Sequence, residues 1–214
     1  MHEEKVGVLV SGRGSNLQAL LDAAADPAFP AEIALVISNI SGAYALERAA
    51  KAGVPTEIIP HKQYASRKEF DAAVDRALRA AGVEIVCLAG FMRLLTTGFV
   101  EGWNGRMLNI HPSLLPSFKG LHTHERALEA GVKLHGCTVH LVTPELDDGP
   151  IVVQAAVPVL AGDDADALAA RVLEQEHRAY PLALRLLVEG KVAVDGARAT
   201  VDAQGAGSLI SPLP

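Results

Sequence analysis

A short apolar run, residues 6–10 (Val-Gly-Val-Leu-Val), ends directly on Ser11-Gly12-Arg13-Gly14-Ser15-Asn16, and Leu17, Leu20 and Leu21 then recur at helical spacing. A buried strand, a tight turn and a helix in that order must cross back to a neighbouring strand, which places the chain among parallel-sheet α/β folds. The alternation continues. Residues 33–37 read as a second buried strand, 44–52 as a helix closed by Gly53, and 56–59 as a short third strand. Phe70, Val74, Ala77, Leu78 and Ala81 mark one face of a helix starting near Ser66 and stopping at Gly82, before a buried strand at 84–89.

Past Gly90 the pattern loosens into a short helix near 97–103, a strand at 107–110 and a Pro-punctuated loop at 112–122. A helix at 124–130 is followed by strand-like runs at 137–142 and 151–159, whose spacing predicts an antiparallel pair. A long amphipathic helix at 164–189, with Pro181 as a candidate kink, precedes a small hairpin around Asp195-Gly196 and a frayed last dozen residues. The expected fold is a single α/β domain over residues 1–214, Rossmann-like, with a mostly parallel twisted sheet, helices on both faces and an antiparallel C-terminal portion. Within it, 1–105 forms a βαβ phosphate-binding half, 106–190 a catalytic half, and 191–214 a hairpin and tail.

Composition narrows the function classes. A formal charge of −6 with no run of Lys or Arg argues against nucleic acid as a partner. No stretch of 18 apolar residues is free of charges, so no membrane span is expected, and the N-terminus carries no signal-peptide pattern, which predicts a cytoplasmic protein. Cys87 and Cys137 each lie in an apolar run and read as buried free thiols.

Three segments carry chemistry. In Ser11 to Asn16, two glycines allow a tight turn at the start of a helix, where backbone N–H groups and the helix dipole favour an anion such as a phosphate. The plain alternative is a βα turn with Ser or Asn as helix cap. A dinucleotide fingerprint fits less well, because Leu17 replaces its third glycine and the second strand ends in Ser38-Asn39 without a ribose-binding acid. In Asn109-Ile110-His111-Pro112, an extended strand points Asn109 and His111 to one face, where an amide and an imidazole can bind a carbonyl oxygen and manage a proton. A histidine satisfied at a strand end is the alternative. In Glu145-Leu146-Asp147-Asp148-Gly149-Pro150 an acidic turn precedes Gly-Pro; folded back near His111, Asp147 would favour the imidazolium, and otherwise it is a solvated turn. His122, His124, His135 and His140 lack metal-ligand spacing, so no metal is expected, and His122-Thr123-His124 reads as loop.

The chain resembles the phosphoribosylglycinamide formyltransferase family through five segments in matching order: Ser11 to Asn16, Leu88-Ala89-Gly90-Phe91-Met92-Arg93, Asn109 to Pro116, Gly120-Leu121-His122-Thr123-His124, and Glu145 to Pro150. That resemblance implies transfer of a formyl group from 10-formyltetrahydrofolate, as cosubstrate, to the amine of glycinamide ribonucleotide, in purine biosynthesis. It implies Asn109, His111 and Asp147 as the catalytic trio. Gly14, Ser15 and Asn16 would hold the substrate phosphate, and Glu176 its amino end. Met92, Arg93, Leu94 and Leu95, with Asn109, Thr143, Pro144, Glu145 and Leu146, would meet the folate, and Arg67 its acidic tail. The implied partners are small molecules, with the chain acting as a monomer or homodimer.

Two positions depart from the family pattern. Pro144 stands where an acidic residue is usual, and Leu173 stands one helical turn before Glu176 where a polar side chain often assists the phosphate. Rival readings are a formyltetrahydrofolate deformylase, a methionyl-tRNA formyltransferase, and a non-catalytic folate or nucleotide-binding module of the same fold. A single-domain length and the phosphate turn disfavour the first two, and an intact trio disfavours the third.

Overall fold

The computed structural model describes residues 3–202. The expected frayed last dozen residues lie outside them. The strands are β1 (Glu4–Val10), β2 (Ala31–Ser38), β3 (Thr56–Ile58), β4 (Ile85–Leu88), β5 (Met107–His111), β6 (Leu134–Leu141), β7 (Ile151–Pro158), β8 (Val192–Asp195) and β9 (Arg198–Val201). The α-helices are α1 (Ser15–Ala24), α2 (Tyr44–Lys51), α3 (Arg67–Ala80), α4 (Thr97–Gly102), α5 (Thr123–Glu129) and α6 (Ala165–Val188). The sheet order is β3-β2-β1-β4-β5-β6-β7, with β8 and β9 forming a separate hairpin. The described residues divide into two compact units, residues 3–109 with 141–144, and residues 110–140 with 145–202.

In the first unit β1 pairs in parallel with β2 and β4, and β2 with β3. Val8 and Val10 point to one side of the pleat and Leu9 to the other, yet all are fully buried, so helices cover both faces. Leu9, Leu35, Ile37, Val86 and Leu88 pack against Phe70, Val74 and Leu78 of α3 and Phe99 and Val100 of α4. Gly7 permits that closeness: a Cβ there would lie 2.4 Å from the Leu78 side chain. Ser66 caps α3, its hydroxyl accepting from the Glu69 N–H at 3.2 Å.

In the second unit β6 and β7 are antiparallel, as their spacing predicts. β6 begins at Leu134, three residues before the expected start, because Gly136 serves pairing instead of breaking it. A Cβ at Gly136 would come 2.0 Å from the Ala155 carbonyl oxygen. α6 is one continuous helix through Pro181, capped at Asp164, whose carboxylate accepts from the Ala167 N–H at 2.8 Å. Both cysteines are free and buried, and desolvation pushes the Cys137 thiol up to about 12, with the Glu176 charge adding to the effect.

Candidate active site

In the first unit the turn after β1 is built from backbone. Gly14 is the N-cap of α1 at φ 73° and provides no side-chain cap, so neither Ser15 nor Asn16 is the cap that a plain turn would use. The left-handed backbone suits glycine, and space requires it too. A Cβ at Gly14 would lie 2.6 Å from the Ala45 Cβ and 2.7 Å from its Cα, where α2 begins. Ser15 and Asn16 open the first turn of α1, where helix N–H groups have no intrahelical acceptor. Arg48 braces the turn from α2, its Nε donating to the Arg13 carbonyl at 2.9 Å.

Asn109 belongs to this unit, in register with Leu88 at the C-terminal ends of parallel strands β4 and β5. Open α/β sheets present ligands at such ends. The loop at residues 89–96 carries Met92 and Leu94, both more than half exposed, and the partly buried Arg93 and Leu95. Arg67 is exposed at the first position of α3, and Thr143 and Pro144 follow β6, Thr143 partly buried and Pro144 exposed.

In the second unit His111 and Asp147 meet. His111 Nδ1 lies 3.5 Å from Asp147 Oδ2, although 36 positions separate them in the chain, and both side chains are almost fully buried. The other ring nitrogen, Nε2, is 3.0 Å from the Phe118 carbonyl oxygen. Both nitrogens therefore face acceptors, a pattern that the neutral ring satisfies on one side and the imidazolium on both. The Gly120 N–H donates to the same Asp147 oxygen at 2.9 Å. The loop after β5 thus supplies an acceptor for the histidine and a donor for the carboxylate.

Holding those groups requires unusual backbone. Phe118, His122 and Asp147 are non-glycine residues at φ 54°, 57° and 51°. Such conformations cost on the order of 1–3 kcal/mol each and persist where surroundings enforce them. Ser113 Oγ donates to the Ser117 carbonyl at 2.6 Å, and Thr123 Oγ1 donates to the Pro112 carbonyl at 2.7 Å. Arg126 donates to the Lys119 and Leu121 carbonyls at 2.6 and 3.3 Å, with its guanidinium 5.6 Å from the Phe118 ring centre. Lys119 pairs with Asp148.

His140, not singled out as catalytic from sequence, lies with Nε2 4.0 Å from Asp147 Oδ1, so two imidazoles flank one buried carboxylate. No spacing in the sequence singles it out, because every β6 position from His135 to Leu141 is buried. His124 stands in α5 and not in a loop, its Nδ1 3.1 Å from Nε2 of the buried His135. Burial lowers the His135 ring to about 4, with the charges of His124 and His111 adding to it; burial also lowers His124, opposed by Glu125. Glu176 is buried on α6, Leu173 partly buried one turn before it, and Glu145 and Leu146 are exposed. Among the described residues no group of three or more His, Cys, Asp or Glu is placed to hold a metal ion, and no helix is long and apolar enough to cross a membrane.

Comparison with known proteins places the chain in a family. The formyl transferase family model matches residues 4–184. The phosphoribosylglycinamide formyltransferase of Escherichia coli is 45% identical over 197 residues, covering 92% of this chain and 93% of the relative. The trifunctional purine biosynthetic protein adenosine-3 of Gallus gallus is 56% identical over 190 residues, 89% of this chain; the match spans only 19% of that longer protein. The crystal structure of glycinamide ribonucleotide transformylase 1 from Symbiobacterium toebii superposes with a TM-score of 0.91 at 50% identity, covering 94% of each chain. With a family match over most of its length and a fold shared with a half-identical structure, the chain belongs to the formyl transferase family.

Proposed function

We propose that the chain transfers the formyl group of 10-formyltetrahydrofolate to the amine of 5-phosphoribosylglycinamide, releasing tetrahydrofolate, as a step of purine biosynthesis. The observation that carries this reading is the buried His111 and Asp147 pair, with His111 two residues after Asn109 on β5. The substrate amine attacks the formyl carbon, the new C–N bond forms, and negative charge develops on the formyl oxygen. The Asn109 amide donates to that oxygen, and the charge of His111 stabilises it. Because both His111 nitrogens already face protein oxygens, a direct bond from its ring requires Nε2 to leave the Phe118 carbonyl. Asp147 holds the imidazolium and assists passage of the proton from the attacking amine to the folate nitrogen as its bond to the formyl carbon breaks.

The remaining residues divide by chemistry. Gly14, Ser15 and Asn16 take the phosphate at the start of α1, and the Glu176 carboxylate orients the amine. Met92, Arg93, Leu94, Leu95, Thr143, Pro144, Glu145 and Leu146 receive the folate, with Arg67 toward its acidic tail. No metal enters the reaction. The test is His111→Ala, assayed for formyl transfer to phosphoribosylglycinamide alongside equilibrium binding of the folate. Turnover is expected to fall about 10²- to 10³-fold, the usual cost of losing one such stabilising group, with folate binding retained; near-normal turnover contradicts the assignment.

A further inference from the structure

Asp71 on α3 is 2% exposed and lies outside every motif of the family resemblance. Its Oδ2 accepts from the Thr96 backbone N–H at 2.6 Å, and its Oδ1 is buried with no hydrogen-bond partner among the described residues. A buried carboxylate with so few partners is costly for stability alone. What it holds is the end of the loop at residues 89–96. The middle of that loop is held by Ser11, whose hydroxyl accepts from the Met92 N–H at 2.8 Å and donates to Asn39 Oδ1 at 2.6 Å. Phe70, the neighbour of Asp71, backs the residues on either side of Met92. Its ring stacks on Phe91 at 6.4 Å and 11°, and the Arg93 guanidinium sits 5.2 Å from its centre. Held at Met92 and at Thr96 and backed by Phe70, the loop presents Met92 and Leu94 outward.

We infer that Asp71 is a positioning residue for the formyl donor: its carboxylate holds the loop at residues 89–96 in the shape that receives the folate. The inference rests on the formyl-folate reading above. Asp71 touches neither substrate, so its loss acts on donor binding through the loop. Asp71→Ala is expected to raise KM for 10-formyltetrahydrofolate about 10-fold, the scale of a lost hydrogen bond to a charged group. KM for the phosphorylated amine stays within about twofold. Asp71→Asn, which keeps an acceptor oxygen for the Thr96 N–H, is expected to restore the donor KM to within about threefold of the parent. An unchanged donor KM in a folded Asp71→Ala protein overturns the inference, as does an equal rise in both KM values. Should Asp71→Ala not fold, Ser11→Ala carries the test by releasing the same loop at Met92, and an unchanged donor KM in that variant overturns the inference. A parent protein that releases no tetrahydrofolate from the two substrates breaks the functional reading itself, a result distinct from either.

Discussion

The turn at residues 11–16 and the loop at residues 111–122 both follow a strand and both hold candidate site groups, but they are held in shape by different means. The first uses glycine: Gly14 takes a left-handed conformation at the one place where a Cβ would strike Ala45. Its functional groups are backbone N–H groups that any residue supplies. The second also contains a left-handed glycine, Gly120, but places Phe118 and His122, together with Asp147, in left-handed conformations as well and relies on side chains to hold them. There the strain is borne by Ser113, Thr123 and Arg126, whose hydrogen bonds hold the loop. Anion binding needs only a turn of the correct shape, whereas a histidine–carboxylate pair needs particular side chains at particular distances.

That difference predicts how each region fails. Asp147→Asn removes the negative charge beside His111 Nδ1 while keeping the shape, and should reduce kcat about 100-fold, the low end of general acid–base contributions. Steady-state kinetics that show a rise in KM instead, with kcat intact, would make Asp147 a binding residue and erase the contrast. Gly14→Ala should act on the other parameter. It strains the backbone and presses on Ala45, so KM for the phosphorylated amine is expected to rise about 10-fold, with kcat at saturation largely preserved. A variant in which kcat alone falls would place chemistry where only binding is expected.

The smallest effect concerns stability near the second region. The folded His135 ring titrates near 4, below the ordinary 6.5, so the unfolded chain binds more protons between those values. Stability contributed by keeping this ring neutral is complete above about pH 6.5 and is lost as the pH falls toward 4. Urea unfolding at pH 7 and pH 5 should show a smaller loss on acidification in His135→Gln than in the parent. Equal losses would mean that this ring does not govern the acid sensitivity.

The same contrast explains what could be read in the chain. The inner strands of the alternating series were legible because burial on both sheet faces imposes continuous apolar runs such as that of β1, and the helices from their apolar periodicity; β3, at the sheet edge, is exposed at all three positions and carries no such run. The turn at Gly14 was legible because glycine marks the backbone that needs it. The start of β6 was not, since Gly136 resembles a breaker until the approach of Ala155 is known. Asn109 and His111 could be paired by the pleat of a single strand. The closeness of Asp147 to His111 could not, because it depends on a left-handed aspartate that carries no sequence mark. His140 was hidden for a similar reason: its place beside Asp147 follows from the fold of β6 and not from any spacing of histidines.

Formyl transfer to a phosphorylated amine is tested most directly by mixing the purified protein with 10-formyltetrahydrofolate and phosphoribosylglycinamide and following tetrahydrofolate release. Release should depend on the amine and match formylated product one for one. Release that proceeds equally with water alone, or no release with the amine present, would contradict it.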